Sequence, residues 1–160
     1  WTSSAIVRAL ETGQMNEEEF LQEIPAVLGC SGEETFGPRF HAWQLTLFPG
    51  VGDLVQEAAQ RYRVALLSNT NEIHWRQVTT ASRVFESFEH VFLSYETGHY
   101  KPEHAAFRDV TGFFDCAPGD ILFVDDSAPN IAAARDFGID AHEVAGAAEL
   151  RRLLGEADST

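Results

Sequence analysis

Early in the chain the apolar positions recur at helical spacing. Phe20, Leu21, Ile24, Val27 and Leu28 fall three and four residues apart, which is one face of an α-helix. Asn16 stands just ahead of Glu17-Glu18-Glu19, where an amide cap and acidic side chains both suit the positive end of a helix. Pro25 removes a backbone donor, so this helix is expected to kink or shorten there, and Gly29 is a natural stop. A second helix is expected over roughly residues 33–45, with Phe36, Phe40 and Trp43 on one face. No period of two occurs before about residue 48, and that whole stretch reads as helical.

After Pro49-Gly50 the pattern changes. Short apolar runs at 64–67, 91–93 and 121–124, and a last strand near 141–144, alternate with amphipathic stretches at 51–62 and 73–81, after Lys101-Pro102, and after Ser127. Phe107, Val110 and Phe114 mark one side of the helix after Pro102. The helix after Ser127 has that serine as its cap, Pro129 in its first turn and Gly138 at its end. A short last helix ends by Leu154, and the polar tail to Thr160 is expected to fray. Strands alternating with helices predict an α/β fold, a Rossmann-like parallel sheet covered on both faces. Right-handed crossovers bring the carboxyl end of every strand to one edge. Residues 1–48 read as a helical part and 49–160 as the sheet core.

Composition narrows the partners. The chain has 160 residues, enough for one domain with a small appendage, and 44% are hydrophobic, with 12 Phe and 3 Trp to build a core. Eleven Lys and Arg against 25 Asp and Glu give a net charge of −14, which argues against a nucleic-acid backbone or an anionic membrane as partner. Cys30 and Cys116 form no C-x-x-C and read as two reduced thiols, as expected of a cytoplasmic protein. No apolar stretch is long enough for a bilayer, and no basic start followed by an apolar run suggests a secretory signal.

The candidate chemistry sits at the strand ends. In Ile121-Leu122-Phe123-Val124-Asp125-Asp126-Ser127-Ala128-Pro129-Asn130, an apolar run ends in two adjacent carboxylates just before a helix. Like charges this close resist burial, so a cation is expected there, and Mg²⁺ is the natural one because it prefers oxygen ligands. Ser68-Asn69-Thr70 follow another strand and offer a hydroxyl, an amide and turn N–H groups to an anionic oxygen. Lys101, at a helix entrance, carries a point charge suited to phosphate or to balancing carboxylates. Each alone has an ordinary reading: turn chemistry, a surface lysine, a double cap. The six histidines show no metal-ligand spacing and read mostly as surface or loop residues, with His74 and His99 nearest the strand ends. Phe36 and Phe40 read as packing. Trp43 suits either packing or a substrate face.

In this order the three groups resemble the haloacid dehalogenase-like hydrolase superfamily. Leu67-Ser68-Asn69 looks like its second motif, Lys101-Pro102 its third and Val124-Asp125-Asp126 its fourth. Residues 66–71, 93–102 and 123–138 look closest to sugar-phosphate phosphatases and the phosphatase-like domain of epoxide hydrolases. The resemblance implies that residues 1–48 are the small helical cap over the site, with Trp43 and His74 as substrate-binding candidates. It implies that Ser68 hydrogen-bonds a transferring phosphoryl group with Asn69 assisting, and that Lys101 neutralises that group and the nucleophile. Asp126 would bind Mg²⁺ directly, Asp125 directly or through water, and Asn130 would support them.

One motif of the family is missing from this resemblance. An apolar strand ending in Asp-x-Asp, whose first Asp is the nucleophile, has no counterpart here: Asp53 falls within an expected helix and Asp115 in a loop. A central strand of the sheet is therefore expected to be absent as well. A fragment of a longer gene, which the Trp1 start favours, a strand supplied by another chain, and a relative that only binds are three accounts of this, in that order. The expected function is a Mg²⁺-dependent phosphatase of a small phosphorylated metabolite such as a sugar phosphate. A metal-independent 2-haloacid dehalogenase is the first alternative, disfavoured by the paired acids. A non-catalytic binding module is the second. Self-association through an incomplete sheet stays open.

Overall fold

A computed structural model describes residues 4–29, 33–43 and 46–157. Helices α1 (Ala5–Glu11), α2 (Glu17–Val27), α3 (Glu33–His41) and α4 (Val51–Ala59) lead into strand β1 (Ala65–Ser68). Then come α5 (Glu72–Ala81), β2 (His90–Leu93), the single turn α6 (Ser94–Thr97) and α7 (His104–Phe114). The described chain ends with β3 (Leu122–Asp125), α8 (Ala128–Phe137), β4 (Asp140–Glu143) and α9 (Ala147–Ala157).

Local chemistry accounts for most of these boundaries. Asn16 and Glu19 close a reciprocal capping box at the start of α2, with both bonds at 3.0 Å. Pro25 does not cut α2 short: the helix runs on to Val27, because the donor the ring removes belongs to its last turn. Gly29, at φ +66°, then turns the chain out of the helix. α3 ends at His41, short of the expected limit, and Leu45 lies outside the described residues. Ser127 occupies the cap position of α8, but its side chain makes no capping bond.

The chain divides into two compact units. One comprises Trp1–Thr46, Ser68–Ser82 and Leu93–Tyr100; the other comprises Leu47–Leu67, Arg83–Phe92 and Lys101–Thr160. The first is held by Ile6, Val7 and Leu10 of α1, Phe20 and Ile24 of α2, Phe40 of α3 and Ile73 of α5. The Phe20 and Phe40 rings meet at 5.2 Å, and Phe36 packs at the margin, so both Phe36 and Phe40 serve as packing. The second unit is held by Phe107 of α7, Ile131 and Ala134 of α8, and Ile139 and Ala141, with Leu67 and Phe123 against them. Full burial of a side chain such as Phe20 or Phe107 contributes about 1.5–3 kcal/mol.

The strands form two ladders, not one sheet. β1 pairs with β2, and β3 pairs in parallel with β4 from Leu122 opposite Asp140 to Asp125 opposite Glu143. The α/β alternation is as expected; β1 is half-buried along its length and Leu122 is exposed. A parallel strand is fully buried only with neighbours at both edges and helices over both faces. No described segment forms a strand joining β1 to β3. No described helix is long and apolar enough to cross a membrane.

Candidate active site

The end of β3 delivers Asp125 into a closed set of partners. One oxygen, Oδ2, accepts from Lys101 Nζ at 2.7 Å. The other, Oδ1, accepts from the Ser127 backbone N–H and from Asn130 Nδ2, each at 2.9 Å. Lys101 also donates to the Leu67 carbonyl at 2.7 Å, and its ammonium stands 5.6 Å from the centre of the Phe123 ring. One buried cation thus ties the last residues of β1 and β3 together. Of the two roles expected for Lys101, balancing a carboxylate is the one its geometry displays. Asn130 supports Asp125 directly, and Ser127 does so through its backbone. Asp126, one residue on, is exposed.

Among the described residues no group of three or more His, Cys, Asp or Glu side chains is arranged to hold a metal ion. The donors at the strand end nonetheless fit Mg²⁺ in kind. This ion takes one or two carboxylates and completes its shell with water and phosphate oxygens.

The loop after β1 has its own supports. Ser68 and Asn69 are half-buried where the strand ends. The Thr70 backbone donates to Ser94 Oγ at 3.0 Å, and the Ser94 hydroxyl donates back to the Thr70 carbonyl at 3.1 Å. Asn71 caps α5 by accepting from the His74 N–H at 3.0 Å, and its amide nitrogen lies 3.2 Å from His74 Nδ1. Asn69 hydrogen-bonds Tyr100, whose phenol also bonds Glu11 of α1. Burial pushes the Tyr100 phenol up, and the Glu11 carboxylate beside it adds to that. Burial likewise pushes the Glu11 carboxyl up, against the Tyr100 bond.

His74 is not the surface residue that its sequence context suggests. It is buried between the Phe40 ring at 4.7 Å and the Trp43 ring at 5.8 Å, and among the described residues its Nε2 has no hydrogen-bond partner. Burial pushes its pKa below the usual imidazole value. Trp43 is half exposed. Cys116 is a free thiol; Cys30 lies outside the described residues.

This arrangement, with Ser68 and Asn69 after one strand, Lys101 at a helix entrance and Asp125-Asp126 after another, has known counterparts. The family model for haloacid dehalogenase-like hydrolases matches residues 7–138. The chain belongs to that family. It is 27% identical over 161 residues to the D-ribitol-5-phosphate phosphatase of Bacteroides thetaiotaomicron, covering 94% of this chain and 77% of that protein. A haloacid dehalogenase-like enzyme from the same organism, solved with magnesium and inorganic phosphate, superposes with a TM-score of 0.74 at 31% identity, over 86% of this chain and 73% of that one. The L-2-haloacid dehalogenase of Xanthobacter autotrophicus superposes with a TM-score of 0.68 at 20% identity, over 88% of this chain and 60% of that one. At that identity the likeness is of fold alone, and one fold carries both chemistries.

Four groups around the candidate residues escape the sequence analysis. Asn71 was legible: an Asn directly before Glu72 and a helical stretch is a cap signal. Ser94 and the Leu67 carbonyl carry no sequence signal, since a buried hydroxyl and a main-chain oxygen act here through tertiary contact. Glu11 leaves a faint one, a lone carboxylate closing the apolar run Ala5-Ile6-Val7-Arg8-Ala9-Leu10.

Proposed function

We propose that this hydrolase is a phosphatase of a small phosphorylated metabolite, such as a sugar phosphate, with Mg²⁺ as its cofactor. One observation carries the reading: Lys101 and Asp125 meet at 2.7 Å at the ends of β1 and β3, with Asp126 exposed beside them. The named relative acting on D-ribitol 5-phosphate supports it. Phosphoryl transfer asks a protein mainly to position several anionic oxygens and neutralise them. In this reading Ser68 and Asn69 donate to the phosphoryl oxygens. Lys101 fixes the Asp125 carboxylate and keeps the strand end electrically balanced. Asp126, with Asp125, holds Mg²⁺, which when bound supplies positive charge to phosphoryl oxygens. Trp43 offers an exposed ring to the substrate, with His74 packed behind it. Residues 1–48 act as the cap, and the setting is the cytoplasm.

The metal-independent dehalogenase is the second reading, and adjacent carboxylates at the strand end disfavour it, because that chemistry has no metal to hold. Calorimetry separates the two. Mg²⁺ is expected to bind more tightly with inorganic phosphate present, and Asp126→Asn is expected to weaken that binding about tenfold or more. Unchanged Mg²⁺ affinity in the variant would remove Asp126 from the site and with it the metal-dependent reading.

A further inference from the structure

Asn71 makes two bonds at the start of α5. Its Oδ1 accepts from the His74 backbone N–H at 3.0 Å, which fixes the amide so that Nδ2 is the atom 3.2 Å from His74 Nδ1. An amide nitrogen only donates, so Nδ1 must accept, and the single ring proton of a neutral imidazole sits on Nε2. The ring is neutral because burial lowers its pKa by more than the Phe40 main chain raises it. Both side chains are buried, so little water competes for the bond between them.

The same imidazole packs against two aromatic rings. Phe40 lies at 4.7 Å, tilted by 42°, and belongs to the buried core of its unit. Trp43 lies at 5.8 Å and 67°, a separation and angle at which edge-to-face aromatic pairs are favourable. Phe40 is buried, whereas Trp43 is half exposed. Asn71 in turn directly follows Thr70, whose backbone exchanges two bonds with the Ser94 hydroxyl, at 3.0 and 3.1 Å. The loop after β1 and the open Trp43 ring are therefore connected through one imidazole, which cannot rotate without breaking its bond to Asn71.

We propose that His74, locked by Asn71, is a positioning residue that sets the Trp43 ring against the carbon chain of a sugar or polyol phosphate. The inference rests on the phosphatase reading and deepens it: the loop that binds the phosphoryl group also aims the surface that meets the rest of the substrate. An indole face suits the C–H faces of such a chain. A ring free to change rotamer would have to be ordered at each binding event, which lowers affinity, whereas a ring already held does not carry that cost.

The test is calorimetric titration of the full chain, in saturating Mg²⁺, with inorganic phosphate and with ribose 5-phosphate, read as the ratio of the two affinities. Trp43→Ala is expected to lower the preference for the sugar phosphate about tenfold. His74→Gln removes the ring, and Asn71→Ser keeps a cap for α5 but takes the amide donor from Nδ1; each is expected to lower the ratio about threefold. If one of these two fails to fold, the other carries the test. In a Trp43→Ala background both are expected to leave the ratio where Trp43→Ala alone puts it, because the ring they position is gone, and a role in folding alone would not produce that silence. Nitrogen NMR of the wild type is expected to find the His74 proton on Nε2. A wild-type proton on Nδ1, equal wild-type affinity for the two ligands, an unchanged ratio in His74→Gln and Asn71→Ser, or losses that persist in the Trp43→Ala background would overturn the positioning role alone. A wild-type chain that binds neither ligand would overturn the phosphatase reading itself, and this inference with it.

Discussion

Lys101 Nζ stands 2.7 Å from Asp125 Oδ2, and the two side chains keep only 9% and 8% of their exposure. Removing one partner of so buried a pair leaves the other charge without compensation, which costs about 3–5 kcal/mol. Lys101→Met is therefore expected to lower the urea midpoint strongly, the more so because Asp126 adds a second negative charge next door. Adding Asp125→Asn to that variant should recover part of the loss. A Lys101→Met chain with the wild-type midpoint would show that the pair does not hold the strand ends.

Gly13 and Gly98 both have positive φ, at +70° and +74°, but differ in their surroundings. A Cβ on Gly13 would come 2.4 Å from the Tyr95 carbonyl oxygen, a backbone atom that cannot swing away, whereas a Cβ on Gly98 would meet nothing within 4 Å. Gly98→Ala should cost only the left-handed strain, about 1–2 kcal/mol. Gly13→Ala should cost clearly more, and chemical denaturation of the two variants side by side measures the difference.

His74 gives the stability a pH dependence. Burial holds its folded pKa below the ordinary value of about 6.5, so between these two values the unfolded chain binds a proton that the folded chain does not. Stability from this group is complete above about pH 6.5 and is lost as the pH falls through the folded pKa. Unfolding free energies across this range should show that slope, and His74→Gln should flatten it. A slope unchanged in the variant would assign the effect to other groups.

Asn71 is 1% exposed and caps α5 through its side-chain oxygen. Asn71→Ala is expected to cost about 2 kcal/mol, the upper end for a lost cap, since no water reaches the freed N–H of His74. Asn16→Ala, at the exposed cap of α2, should cost about half of that. Thermal melts of both variants check the ranking.

The α/β alternation was legible because apolar runs of four residues and amphipathic runs of ten differ in period, and no tertiary information is needed to tell them apart. The strand-end chemistry was legible for a related reason: Asp125 and Ser68 each stand where an apolar run meets a turn, and Lys101 stands at a helix entrance. What side chains do across space was not. The same four letters, Tyr100-Lys101-Pro102-Glu103, fit a surface turn as well as the buried position that Tyr100 and Lys101 occupy. His74 read as a surface or loop residue near a strand end, yet its helix position turns it inward against Phe40. Pro25 was given too much weight, because a proline's missing donor matters less when the helix is about to end anyway. The sheet was expected to lack a central strand, and no described segment joins β1 to β3; which strands pair is set by neighbours that periodicity does not name.

The two ladders share no rung among the described residues, and Lys101 makes the polar link between their ends. Alignment of Leu67 with Asp125 therefore rests on a charge as well as on the apolar packing of Leu67 and Phe123. A hydrogen-bond ladder is indifferent to the chemistry of side-chain amines, but this link is not. Acylation of that amine would remove the polar part of the link, so the chain places at one lysine a sensitivity to amine chemistry that a hydrogen-bond ladder does not have.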